Sequence, residues 1–289
     1  VDASPFTAEQ RAALTGLLDD PSPVVRQSLL VHFARHGRAS VDFLRHVASQ
    51  PDPALALHAQ NFLRELNFAD PVAEFRGFIR SLNYELETGA LLLSRTINPD
   101  LDIGANCTRL DTLAARCREL IAEPATVRDK CRVINRVLFH EYALRGNTEH
   151  YADPLNSFLD QVLIRRQGLP ISLSIVYLLV AERLGLTLEP VGLPGHFLVG
   201  CYAEDLPFYI DAFNGGRFLA ASEAVALVRQ QTDHPTLADL APTPIREVLC
   251  RCCRNLVHHY SAAQDPDRAR LFAEFVAEFE STYERHAQP

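Results

Sequence analysis

Pro170-Ile-Ser-Leu-Ser-Ile-Val-Tyr-Leu-Leu-Val-Ala-Glu-Arg-Leu-Gly185 carries the strongest structural signal in the chain. Proline stands at the first helical position, where its missing N–H costs nothing and its fixed φ suits the turn, and glycine stands just past the end. Between them apolar residues occupy nearly every face, which predicts a central helix buried on all sides. The pattern changes after it. His196-Phe-Leu-Val-Gly-Cys-Tyr202 reads as a strand, Ala203-Glu-Asp-Leu-Pro207 as a polar turn and Phe208-Tyr-Ile-Asp211 as the returning partner, with Asn214-Gly215-Gly216 as a further turn. One buried helix followed by antiparallel strands, with helices elsewhere, predicts an α+β fold.

Working outward, residues 75–83, 110–121, 127–142 and 156–167 each read as helix. Residues 1–68 read as helical hairpins. Asp20-Pro21-Ser22-Pro23 and Asp52-Pro53 lie 32 residues apart, each ahead of an apolar run, and each offers an Asp cap with proline in the first turn. This pattern is HEAT-like, and two such repeats are too few to bury their own faces, so docking on the next domain is expected. Residues 245–260 and 267–283 read as one tetratricopeptide-like hairpin. The expected division is therefore 1–68, a core at 69–225, and a linker with helical tail at 226–289.

Composition sets the outer bounds. The 289 residues, 47% hydrophobic and 22% charged, are ordinary for a globular protein. A net charge of −8 without a long basic run argues against a nucleic-acid groove. No stretch supplies the ~20 consecutive apolar residues of a membrane span, and the first residues do not read as a basic-then-apolar leader. Seven cysteines at irregular spacings suit reduced thiols in the cytoplasm better than a disulfide framework.

The candidate chemistry is a histidine and an aspartate. His196 and Asp211 sit fifteen residues apart on the two strands of the hairpin. Side chains alternate faces along a strand, so the pair shares a face only if opposed residue numbers sum to an odd value, as with Leu198 opposite Asp211. On a shared face the carboxylate can hold the imidazole's tautomer and orientation, as a nucleophile's base requires.

Three strings carry a family resemblance: Asn156-Ser-Phe-Leu-Asp-Gln-Val-Leu-Ile-Arg-Arg-Gln-Gly-Leu-Pro-Ile-Ser-Leu-Ser174, Val191-Gly-Leu-Pro-Gly-His-Phe-Leu198 and Asp211-Ala-Phe-Asn-Gly-Gly216. Together they resemble the SirB family of bacterial proteins, over roughly residues 70–225. The resemblance implies a papain-like, transglutaminase-like core, a buried helix on a small antiparallel sheet, followed by tetratricopeptide-like helices. In active transglutaminase-like enzymes a Gly-x-Cys string opens the buried helix, and His and Asp follow on adjacent strands. His196 and Asp211 match that pair, whereas Gly168-Leu169-Pro170 puts proline at the position of the thiol. A cysteine at a helix N-terminus beside an imidazolium becomes a thiolate. Pro170 has no nucleophile and simply starts the helix.

A relocated nucleophile could come from a serine or cysteine elsewhere in the chain. Ser172 and Ser174 lie on the first turns of the same helix, but two residues is a rotation of about 200°, which turns Ser172 away from the Pro170 direction. Cys131, on the helix preceding the core, is a further candidate. Cys201 stands at odd separation from His196 and so on the opposite face, and Cys107 and Cys117 have no activating feature in sequence. No metal is expected. Cys250 and Cys253 share one side of a helix, with Cys252 and His259 on the other, and four ligands from one straight helix cannot converge tetrahedrally. His32 and His36 lack a third ligand. Glu85 and Glu87, and Asp100 and Asp102, read as solvated surface. Without a phosphate-binding glycine loop, no cofactor is expected. The leading expectation is a catalytically degenerate transglutaminase-like protein that binds a protein or peptide partner. The alternative is a cysteine- or serine-dependent hydrolase or acyl-transferase using His196 and Asp211 with a relocated nucleophile.

Overall fold

The computed structural model describes residues 6–66, 70–203, 206–229 and 236–287, in two compact units that divide between Ala73 and Glu74. The N-terminal unit contains α1 (Ala8–Leu17), α2 (Pro23–His36), α3 (Arg38–Ala48) and α4 (Pro53–Glu65). Asp52 caps α4 as its sequence indicates, accepting from the N–H groups of Ala54 and Leu55. The earlier Asp-Pro pair behaves differently. Asp20 accepts from the N–H of Ser22 instead, and α2 starts at Pro23 without a side-chain cap. The inserted Pro21-Ser22 moves the helix start out of reach of Asp20. This unit closes a core of its own around Phe33, Leu44, Ala59 and Phe62, all at most 1% exposed.

In the second unit, α5 (Pro71–Ser81, straddling the division), α6 (Leu86–Arg95), α7 (Ile103–Leu120) and α8 (Val127–Asn135) come first. Residues 127–142 are not one regular helix, because α8 passes into a π-helical turn over Arg136–Glu141. Then follow β1 (Arg145–Gly146), a 3-10 turn at Pro154–Ser157, α9 (Leu159–Arg165) and β2 (Gln167–Gly168), which pairs in parallel with β1. The quoted apolar segment is α10 (Pro170–Arg183), in which every residue from Pro170 to Ala181 is buried. Four strands follow as an antiparallel meander: β3 (Glu189–Leu193), β4 (His196–Cys201), β5 (Phe208–Asp211) and β6 (Arg217–Ala220). α10 packs against β3 and β4. The opposite face, with Val191, Leu193, Leu198, Tyr209 and Leu219, is covered by α11 (Ala221–Val228) and the 3-10 turn Leu237–Leu240. The polar turn expected at 203–207 includes residues 204 and 205, which lie outside the described residues.

The closing helices, α12 (Ile245–Ala262) and α13 (Pro266–Ala287), belong to this same unit. Phe275 meets Phe75 of α5 edge-on with ring centroids 4.9 Å apart, and Phe272 stacks on Tyr260 at 5.5 Å. The tail is thus built into the core's packing.

Of the acidic residues expected on the surface, Glu85 is exposed and Glu87 only partly so, and both have structural roles. Glu85 caps α6 through the N–H groups of Glu87 and Thr88. Glu87 takes a two-pronged bond from Arg183 at 2.7 Å per contact, with both side chains only 17% exposed. Arg183 also reaches Asp111 at 2.6 Å, so one guanidinium ties α10 to α6 and α7. The sequence could not pair Glu87 with a residue 96 positions away.

Candidate functional site

The start of α10 is fixed from below. Ser172 Oγ accepts from the Leu169 N–H at 2.8 Å and donates to the Asn156 carbonyl at 2.7 Å. Asn156 is in turn held by the Asn147 amide, and the Asn147 N–H bonds to the Gly168 carbonyl. The two glycines of the short parallel ladder are needed for close approach. A Cβ on Gly168 would come within 2.6 Å of Ser172 Oγ, and one on Gly146 within 2.6 Å of the Phe213 ring.

β4 and β5 pair with Val199 opposite Ile210, and the same register carried one step sets Leu198 opposite Asp211. The sum is odd, so His196 and Asp211 share a face, and His196 Nε2 lies 2.9 Å from Asp211 Oδ2. A carboxylate can only accept, so Nε2 carries a proton, and in the neutral imidazole Nδ1 has the lone pair. Burial disfavours ionisation of Asp211. The bonds from His196 and from both the side-chain amide and the N–H of Asn214 outweigh it, and hold the carboxyl below its usual range. Asn214, read from sequence only as a turn residue, is therefore the second donor that keeps Asp211 charged. The turn itself is closed by the Gly216 N–H to the Asp211 carbonyl, and by the Asn135 amide to the Gly216 carbonyl at 2.6 Å.

The pair opens on a cleft of about 420 Å³ that Pro170 also lines. Its walls are Tyr151, Pro194, Phe213 and Leu227, and the Phe213 ring stands edge-on to His196 at 6.3 Å. No cysteine, serine or threonine is among the described residues that line it. Ser172 is buried beneath α10 with its hydroxyl engaged, and Ser174 is buried without a polar partner among the described residues. Cys131 is fully buried, with its carbonyl accepting from Tyr177 Oη at 3.1 Å. Burial pushes the thiols of Cys117 and Cys252 up to about 12. Burial and the neighbouring Glu87 carboxylate push that of Cys107 to about 11. None of these three is a thiolate at neutral pH. Cys201 is buried on β4, opposite Phe208. Among the described residues no group of three or more His, Cys, Asp and Glu side chains is placed to hold a metal ion.

The sequence model of the transglutaminase-like superfamily matches residues 105–254, a span that holds α10, all four strands of the meander and most of α12. The chain belongs to the transglutaminase-like superfamily. It is 39% identical over 197 residues to a UPF0162 protein of Xylella fastidiosa, covering 66% of this chain and 70% of that one. It is 31% identical over 132 residues to a UPF0162 protein of Vibrio cholerae (45% and 49% covered). Human F-box only protein 21 is 39% identical over 132 residues, 43% of this chain and 20% of its own length. No solved structure matches. No helix among the described residues is long and apolar enough to cross a membrane.

One support of this transglutaminase-like cleft comes from outside the sheet. Arg251 of α12 donates to the carbonyls of Leu193 at 2.7 Å and His196 at 2.9 Å, the two ends of the Pro194-Gly195 turn. Burial lowers its pKa, and no carboxylate lies within ion-pair distance of it among the described residues. The guanidinium is thus committed to backbone carbonyls. Arg251→Met is expected to cost about 2 kcal/mol, the worth of charge-assisted bonds to groups left unpaired. Chemical denaturation measures this. Histidine ring NMR should also show His196 alone losing its single sharp environment, and an unchanged His196 signal would disprove the positioning role.

Proposed function

We propose that this chain is a catalytically silent member of the superfamily, whose cleft holds an extended segment of a partner protein. One observation carries the reading: Pro170 lines the cleft with His196 and Asp211, and among the described residues no thiol or small hydroxyl lines it with them. Proline removes the backbone N–H at that position as well as the nucleophile, so a developing oxyanion also loses a donor. What remains suits recognition. Aromatic, proline and leucine walls bury apolar side chains, while His196 Nδ1 offers an acceptor for a peptide N–H.

Within the superfamily we read the chain as SirB-type, on its Gly-Leu-Pro-Gly-His-Phe-Leu and Asp-Ala-Phe-Asn-Gly-Gly strings. The flanking helices are read as HEAT-like at the N-terminus and tetratricopeptide-like at the C-terminus, surfaces suited to partner proteins. F-box only protein 21 carries the matching segment as a fifth of its length, the proportion of a module. Seven cysteines, none of them in a disulfide among the described residues, suit a reducing cytoplasm.

Peptides selected from a random display library on the full chain should bind at least tenfold more weakly to Phe213→Ala and Tyr151→Ala variants. Binders indifferent to both changes would sink the reading. So would an acyl-enzyme trap that labels the wild type but not His196→Ala.

A further inference from the structure

A second concavity, of about 360 Å³, lies between α7 and the π-helical turn and shares no lining residue with the His196–Asp211 cleft. Arg109, Thr112, Leu113 and Arg116 reach it from α7 at the i, i+3, i+4, i+7 spacing that places them on one helix face. Leu113 and Val137 supply apolar surface, and both are at most 5% exposed overall. The other wall exists because the backbone departs from α-geometry. The Tyr142 N–H reaches back to the Val137 carbonyl at 2.8 Å, five residues earlier, and Glu141 and Tyr142 line the concavity. Such π-turns are used frequently at functional sites.

Charge at this place runs against the rest of the chain. Arg116 and Arg136 both bond to Glu141, and Arg116 also bonds to Glu119, so these carboxylates are already matched by guanidinium groups. Two cations remain without a carboxylate partner among the described residues. Arg109 has one described bond, from Nη1 to the side-chain oxygen of Asn106 at 3.1 Å. Arg166 lies over the Tyr142 ring at 4.5 Å, held in a left-handed backbone conformation at φ 57°. The charged groups lining the concavity are thus Arg109, Arg116 and Glu141, two guanidinium groups to one carboxylate in a chain of net charge −8.

An apolar floor with Arg109 at the rim, lacking a carboxylate partner among the described residues, is complementary to a ligand with an apolar body and one anionic end. Arginine is the residue of choice for planar carboxylate recognition, through its fork of donors. We propose that this concavity is a binding site for a small amphipathic carboxylate, its hydrocarbon over Leu113 and Val137 and its carboxylate on Arg109.

Octanoate titrated into the full chain by calorimetry tests this, with 1-octanol as the uncharged match. Octanoate should bind at least tenfold more tightly than octanol, and Arg109→Glu should weaken it at least tenfold. Thr112→Trp, at an exposed position, should fill the concavity and abolish binding. Amide NMR shifts should map to α7 and residues 136–142. Equal binding of octanol and octanoate would overturn the proposal. So would unaltered affinity in both variants, or shifts that map to the His196 cleft.

Discussion

Replacing Arg183 by methionine is expected to remove about 2–3 kcal/mol of stability from the C-terminal unit, a shift of roughly 1 M in its urea midpoint. The guanidinium makes two bonds to Glu87 and one to Asp111, joining three helices around the core. Methionine keeps much of the stem's packing but leaves the charged, 17% exposed Glu87 without its cation, with the Cys107 thiol as its remaining side-chain donor. Removing one partner of a fully buried pair costs about 3–5 kcal/mol, and partial exposure of both groups lowers that figure. The pH dependence has a definite sign. Burial raises the Glu87 pKa, but the bonds and charge of Arg183 outweigh it and the carboxyl sits below its usual value. A depressed folded pKa means that the unfolded state binds the proton more readily. The stabilisation is therefore complete above the unfolded carboxylate pKa, and is lost as pH falls through the folded one. Wild type should show a steeper acid slope than Arg183→Met, which keeps the contribution of Asp211 but loses that of Glu87. A double-mutant cycle with Glu87→Gln isolates the pair, and coupling near zero would contradict the assignment.

The contrast between Glu87 and His196 explains how much the sequence discloses. His196 and Asp211 lie on consecutive strands of one hairpin, so alternation alone left only two registers, of which one joins them. The buried helix was equally legible, since Pro170 and Gly185 punctuate it and its apolar residues leave no exposed face. Glu87 has no such local signature, because its environment is made by residues distant in the chain. β3 was missed for a different reason. It carries Pro190 and Gly192, which weaken any strand signal, and the sheet tolerates them because β3 is an edge strand. The Pro190 carbonyl bonds to the Thr243 N–H, a contact no periodicity reveals. α6 had a signal in its leucine run that could have been read. β1 and β2, at two residues each, had none. In the site, Arg251 was invisible for the same physical reason as Glu87, since the carbonyls it holds belong to residues 58 and 55 positions away. Asn214, by contrast, bonds Asp211 only three residues back, within reach of a turn reading.

Restoring the thiol gives the sharpest test of what the site retains. In a Pro170→Cys variant the sulfur would stand at the N-terminus of α10, in the cleft that His196 and Asp211 line. The helix dipole and an adjacent imidazolium both favour the thiolate, and a pKa near ~6 is within the range such positions reach. At pH 6 an ordinary thiol, with pKa about 8.5, is roughly 0.3% ionised, against about half for the new cysteine. A lower pKa also weakens intrinsic nucleophilicity, by roughly tenfold over this interval. Alkylation by iodoacetamide at pH 6 should therefore be about tenfold faster than for a free thiol, with the label mapped by mass spectrometry to residue 170. The burial-raised pKa values of Cys107, Cys117 and Cys252 keep those thiols slow. Adding His196→Ala should return the rate close to that of the free thiol. Asp211→Asn should do so in part, because a neutral amide stabilises the imidazolium less than a carboxylate. If residue 170 reacts no faster than a free thiol, or reacts equally fast without His196, the cleft does not preserve the geometry of a Cys–His–Asp site.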